Sequence, residues 1–153
     1  MLRILLACSF LALAAACGED GNSSGDPAKT RFAPNLEIDL AAMQKSESGL
    51  YWQDLVLGSG VEAKANKQVG VRYIGWLPDG SIFDSSGSRS FVFVLGTGYV
   101  IKGWDEGVQG MKVGGRRLLV IPSDLAYGER GYPGVIPPNS VLVFEVELAS
   151  AAE

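Results

Sequence analysis

Few residues in this chain can move a proton or hold a metal. Its 153 residues include no His and two Cys, Cys8 and Cys17. Without imidazole there is no Ser-His-Asp or Cys-His relay and no histidine metal site. Two thiols cannot form a four-thiolate zinc site either. What remains is aromatic: Phe93 and Phe144 in alternating runs, Trp104 in a helical one, and Tyr127 in a loop rich in Pro and Gly. Inward-facing strand aromatics such as Phe93 and Phe144 are usually plain core, and a ring like Trp104 would be core in most folds. Tyr127 is read as functional, because loops carry function. Asp84, just before Ser85 and Ser86, suits the capping of a turn. A net charge of −4 argues against a nucleic-acid partner, which needs a basic footprint.

The elements that must position these residues are mostly strands. Leu50 to Leu57 mixes aromatic and branched residues and ends at Gly58-Ser59-Gly60. Gln68 to Leu77 alternates: Val69, Val71, Tyr73, Gly75 and Leu77 share one face, and Arg72, Ile74 and Trp76 the other. Pro78-Asp79-Gly80 turns the chain into a strand from Ser81 to Asp84. Phe91 to Leu95, Arg116 to Ile121 and Val141 to Leu148 follow, the last with Leu142, Phe144, Val146 and Leu148 inward. The connections are too short for helical crossovers, so the pairing is antiparallel.

One segment has a different period. Ile101, Trp104, Val108 and Met111 predict a helix of about two turns, with Asp105 and Glu106 where the helix dipole favours them. Gly107 and Gly110 weaken it, so packing must hold it. The expected fold is α+β, a five- to six-stranded antiparallel sheet curled around one short helix. Arg116 and Arg117 read as a solvated strand end. The loop from Pro122 to Ser140 carries too much apolar surface for a disordered connection and is expected to fold back over something.

The amino terminus reads as an address. Arg3 precedes an apolar run from Ile4 to Ala16, which as a helix reaches only about 20 Å, short of the roughly 30 Å bilayer core. Residues 1–16 are therefore read as a signal peptide. Ala14-Ala15-Ala16-Cys17 resembles the lipobox of bacterial lipoproteins, with Ala14 where Leu is usual. That resemblance implies lipidation of Cys17; the alternative is an ordinary signal cut nearby, leaving a free thiol. In that family an Asp after the Cys retains the protein at the inner membrane; Gly18 stands there, so the resemblance implies a lipid-anchored, periplasm-facing place in the cell envelope, at the outer membrane rather than the inner. Loss of Arg3 leaves 12 basic and 17 acidic residues, a net charge of −5. Residues 17–48 are expected to be a lipidated flexible tether, disordered to Thr30, with a short segment around Pro34 to Met43 docked weakly. Residues 49–153 form the domain.

Five segments in order, VRYIGWLPDGSIFDSS, FVFVLGTGYVIKGWDEGVQGMKVGGRR, LLVIPSDLAYG, GYPGVIPPNS and VLVFEVEL, resemble the FKBP family of peptidyl-prolyl cis-trans isomerases. The resemblance implies an antiparallel sheet wrapped round a short helix. It assigns Tyr73, Asp84, Trp104, Tyr127 and Phe144 to catalysis, with Trp104 as the floor under the proline ring and Tyr127 as a hydroxyl donor. It assigns Phe83, Arg89, Phe91, Phe93, Tyr99, Val100, Ile101, Tyr132, Val135 and Ile136 to substrate binding. Within that set the Ile101 N–H is a donor, and Val135 and Ile136 are an apolar flap. Asp84 is expected to accept a hydrogen bond from Tyr73. Tyr99 and Tyr132 depart from the family's usual rim residues, which implies an altered sequence preference.

The implied reaction is rotation about Xaa-Pro bonds of exported proteins, with no cofactor and no metal. The alternative is a non-catalytic proline-peptide-binding module or holdase. Partners implied are proline-containing polypeptides, macrolide inhibitors, and a membrane through the lipid anchor only; the protein is expected to be a monomer.

Overall fold

The computed structural model describes residues 24–153. The signal segment, Cys17 and the first part of the expected tether lie outside the described residues. Among the described residues seven strands form one sheet: β1 Gln44–Lys45, β2 Tyr51–Val56, β3 Gln68–Trp76, β4 Ile82–Ser85, β5 Phe91–Val94, β6 Arg116–Ile121 and β7 Leu142–Ala151. Every pairing is antiparallel, in the order β1-β2-β6-β7-β3-β4, and β5 pairs with β3 beyond the end of β4. The two-residue β1, from the stretch read as tether, takes the sheet past the expected five or six strands.

Among the described residues one α-helix, α1 (Lys102–Gly107), lies in the concave side of the sheet. It is shorter than the periodicity implies. The chain leaves it at Val108 and turns through Gly110, whose φ is +81°. The apolar stripe nevertheless holds, since Ile101, Trp104, Val108 and Met111 all pack in the main core with Val71, Leu119, Leu142 and Val146. Contact is close because α1 presents glycine to β6. A Cβ on Gly103 would run into Ile121, and one on Gly107 would sit 2.7 Å from a Leu119 methyl.

The outer face of the sheet is covered too. Met43, Tyr51, Val120, Val141 and Val143 form a second buried cluster, on which Phe32, Leu36, Ile38, Leu40 and Trp76 pack. The docking expected around Pro34 to Met43 is present, and the disordered reading is corrected for residues 25–30. The lack of large apolar residues between Gly18 and Thr30 suggested disorder. Instead Gly25 and Pro27 are buried, Pro27–Lys29 forms a 3-10 turn, and the Ala33 N–H donates to the Pro78 carbonyl at 2.8 Å. The apolar residues from Phe32 to Met43 supply the docking energy, and backbone hydrogen bonds extend the contact upstream.

Arg117 also departs from expectation. It is buried rather than solvated, and holds Asp54 in a two-pronged pair at 2.7 and 3.1 Å. It donates further to the Gly107 carbonyl at 3.0 Å, while its guanidinium lies 4.3 Å from the Trp52 ring centroid. A strand-end arginine thus ties β2, β6 and the end of α1 together; Arg116 alone behaves as expected, pairing on the surface with Glu145. Removing one partner of a buried pair strands the other charge. Asp54→Ala should therefore cost about 2–4 kcal/mol in urea unfolding, and Arg116→Ala well under 1 kcal/mol.

Candidate active site

The concave sheet, α1 and the Pro122–Ser140 loop enclose a cavity of about 500 Å³. Its walls come from β3 (Tyr73), β4 (Phe83, Asp84), β5 (Phe91), the segment before α1 (Gly98 to Ile101), α1 (Trp104), the loop (Ala126, Tyr127) and β7 (Phe144). A hollow of about 560 Å³ elsewhere, between residues 29–34 and the β3–β4 turn, has no such ring cluster.

Ring geometry explains the floor. Trp104 is 4% exposed and meets Tyr73 at 4.8 Å and Phe144 at 5.2 Å, both nearly perpendicular. Phe83 meets Phe144 at 5.4 Å and 83°. Such edge-to-face pairs contribute about 0.5–1.5 kcal/mol beyond burial and fix ring orientation. Among the described residues the Trp104 indole nitrogen is the buried side-chain polar atom without a partner.

The polar groups divide into fixed and free. The Tyr73 hydroxyl donates to Asp84 at 2.7 Å, as expected, and the other Asp84 oxygen accepts from the Ser85 N–H at 2.8 Å. Asp84 therefore both orients the wall and caps the turn. The Ile101 N–H and the Tyr127 hydroxyl make no hydrogen bond among the described residues, although both residues line the cavity. With the unpartnered Trp104 indole N–H they are the free donors of the site.

The loop before α1 is held by Asp105, which the sequence reading places only as a partner of the helix dipole. Asp105 accepts from the Gly96 N–H at 2.7 Å and the Gly98 N–H at 2.9 Å. Its carboxylate thus clamps the loop carrying Tyr99, Val100 and Ile101, beyond any service to the helix dipole. No spacing rule predicted this, because the clamp depends on how the loop doubles back.

Not every expected residue lines the cavity. Phe93 is 4% exposed and supports Trp104 from behind at 5.9 Å. Ile136, expected in the flap, is buried in the core instead. It pairs with Tyr132 through two 2.8 Å backbone hydrogen bonds, and that small hairpin turns its side chain inward. Val135 and Tyr132 stay exposed outside the lining; Tyr132 reaches the site through its edge contact with Tyr127 at 5.9 Å. Arg89 is exposed in the turn after β4 and does not line the cavity. Tyr99 does line it, stacked with Phe91 at 6.4 Å and 22°.

A sheet curled on a short helix, with an aromatic-floored cavity between them, defines a peptidyl-prolyl isomerase fold. The sequence profile for the FKBP-type peptidyl-prolyl cis-trans isomerase family matches residues 60–149, and the chain belongs to that family. It is 57% identical over 106 residues to FK506-binding protein 4 of Dictyostelium discoideum, covering 69% of this chain but only 29% of that protein. It is 52% identical over 107 residues to the FK506-binding protein of Neisseria meningitidis serogroup B, covering 69% of this chain and 98% of that one. The crystal structure of a peptidyl-prolyl cis-trans isomerase from Pseudomonas syringae superposes with a TM-score of 0.66 at 41% identity, over 72% of this chain and 81% of that chain.

Burial pushes the ionisation of Tyr73 well above its ordinary value, and the hydrogen bond and charge of Asp84 push it further. Tyr127 is raised by burial first, then by the charge of Asp84. Both hydroxyls therefore stay protonated and able to donate at neutral pH. A raised value means the folded state keeps protons that the unfolded chain loses. This stabilisation is complete below the ordinary tyrosine value of about 10 and fades as pH climbs above it. Ultraviolet titration should show two tyrosines ionising late, and Asp84→Asn should bring the Tyr73 step down while leaving it above the ordinary range.

Proposed function

We propose that the chain rotates Xaa-Pro peptide bonds in exported proteins, as a monomer held at the cell envelope by lipid on Cys17. The observation that carries the catalytic reading is the pairing of an apolar aromatic floor with free donors, among them the Tyr127 hydroxyl and the Ile101 N–H.

The chemistry follows from amide resonance. Twisting an amide costs about 18–20 kcal/mol because resonance is lost midway. Proline evens out the two isomers but leaves the exchange slow, tens to hundreds of seconds. No bond forms or breaks, so nothing in the reaction needs an acid, base or nucleophile. A proline ring on Trp104, between Tyr73 and Phe144, sits in surroundings that favour the twisted, less polar amide over the planar one. The free donors hold the flanking carbonyls while the bond turns, and interactions stronger in the twisted state lower the barrier. The exposed Phe91–Tyr99 and Tyr127–Tyr132 pairs at the rim would favour apolar side chains beside the proline. Binding of macrolides such as FK506, which the relatives' names record for them, is part of the same proposal.

Docking of residues 25–48 alters the anchoring geometry. Only the segment from Cys17 to Gly25 can span between lipid and domain, and fully extended it reaches at most about 28 Å. The domain would work close to the bilayer surface.

A protease-coupled assay on Xaa-Pro-Phe peptides tests the reading. Trp104→Leu and Tyr127→Phe should each lower kcat/KM by about 10-fold while the folded fraction stays near wild type. A wild-type domain that binds proline peptides without turnover would make it a holdase instead. Palmitate labelling should be present in wild type and lost in Cys17→Ser; equal labelling of both would refute the anchor.

A further inference from the structure

Tyr127 has no fixed partner at its tip, so its position comes from the feet of its loop. One foot is Ser123, which opens the 3-10 turn Ser123–Leu125. The Leu125 N–H donates to the Pro122 carbonyl at 3.0 Å and the Ala126 N–H to the Ser123 carbonyl at 2.9 Å, so the placement of Ser123 is carried to the residue next to Tyr127. The other foot is Asn139, whose N–H donates to the Gly128 carbonyl at 2.8 Å.

Both feet meet Gly25, which lies well upstream of the family-matched region beginning at residue 60. The Gly25 carbonyl accepts the Ser123 N–H at 3.0 Å. Gly25 is buried with φ +72°; a Cβ there would collide with the Ser123 hydroxyl and stand 3.6 Å from the Asn139 carbonyl oxygen. Just beyond it, Asp26 caps the turn at Pro27 by accepting from the Ala28 N–H at 2.9 Å, and Pro27 is buried. The strap is thus stiff where it touches the loop, and no side chain fits between the two.

We infer that Gly25 and Ser123 form a positioning pair that sets the Tyr127 hydroxyl over the cavity, so that the strap before the domain tunes the reaction. The inference rests on the isomerase reading of the cavity. It adds that a donor on a loop is useful only if the loop is placed from outside, since a hydrogen bond weakens steeply as its geometry drifts.

The test uses the full chain labelled with 3-fluorotyrosine, the Tyr127 fluorine resonance being assigned by its absence in Tyr127→Phe. Gly25→Ala should shift or split that resonance and leave the resonance of Tyr99 in place. It should lower kcat/KM about five-fold, mainly through kcat, yet cost less than about two-fold in a Tyr127→Phe background, because coupled residues are not additive. Adding Ser123→Ala removes the colliding oxygen and leaves the strain of an alanine at φ +72°, so it should restore part of the loss. An unmoved Tyr127 resonance, or equal losses in both backgrounds, would overturn the pairing. Should Gly25→Ala fail to fold, Pro27→Ala loosens the strap without adding an atom and must move the same readouts. If the wild type shows no turnover, the isomerase reading fails, while the fluorine shift still decides the pairing.

Discussion

The site depends on how closely α1 approaches β6. Gly103 and Gly107 face Ile121 and Leu119 with no room for a methyl group. Filling such a contact would force the helix away at a cost of about 1–3 kcal/mol. The approach brings Trp104 down among Tyr73, Phe93 and Phe144, and Arg117 holds the helix end by its donation to the Gly107 carbonyl. A helix of six residues with three Gly or acidic interior positions would not stand alone in water. It stands here because the sheet closes on it, and the aromatic box is the product of that closure.

Around the box, polar groups are assigned so that a few donors remain unspent among the described residues, the Trp104 indole N–H included. Asp84 takes the Tyr73 hydroxyl and Asp105 takes the amides of Gly96 and Gly98. Each carboxylate fixes backbone or wall and leaves the cavity centre free of charge. The Ile101 N–H and the Tyr127 hydroxyl are left facing a mainly apolar space, where a donor gains strength because little competes with it. Rigid walls and unspent donors suit a reaction whose difficulty lies in electronic structure rather than in proton transfer.

Much of this could be read from the sequence. Alternation, β-forming composition and turn residues locate β2 through β7 to within a residue or two at most ends, and the 3-4-3 spacing from Ile101 to Met111 finds the buried helix face. The Tyr73–Asp84 hydrogen bond was foreseen because both residues sit in motifs whose roles are chemical. What was missed shares a physical cause. Arg117, Asp105 and Gly25 take their partners from segments distant in sequence or across a doubled-back loop, and composition describes only neighbours. Residues 18–30 lack large apolar side chains and so read as disordered, yet the strap docks from Gly25 onward. Its docking uses Pro27, a backbone hydrogen bond and the apolar run that begins at Phe32. Ile136 was placed in the flap by its motif, and the hairpin with Tyr132 sends it into the core.

The central claim is that rotation occurs on an apolar floor between neutral donors, with no proton moved. The pH dependence of kcat/KM, measured together with the solvent deuterium isotope effect, tests it most directly. The account predicts a flat profile from about pH 6 to 9 and an isotope effect of about 1, since no proton is transferred and Tyr73 and Tyr127 are both held above the ordinary tyrosine value. A bell-shaped profile within that range, or an isotope effect of about 2 or more, would show a proton in flight at the transition state and contradict it.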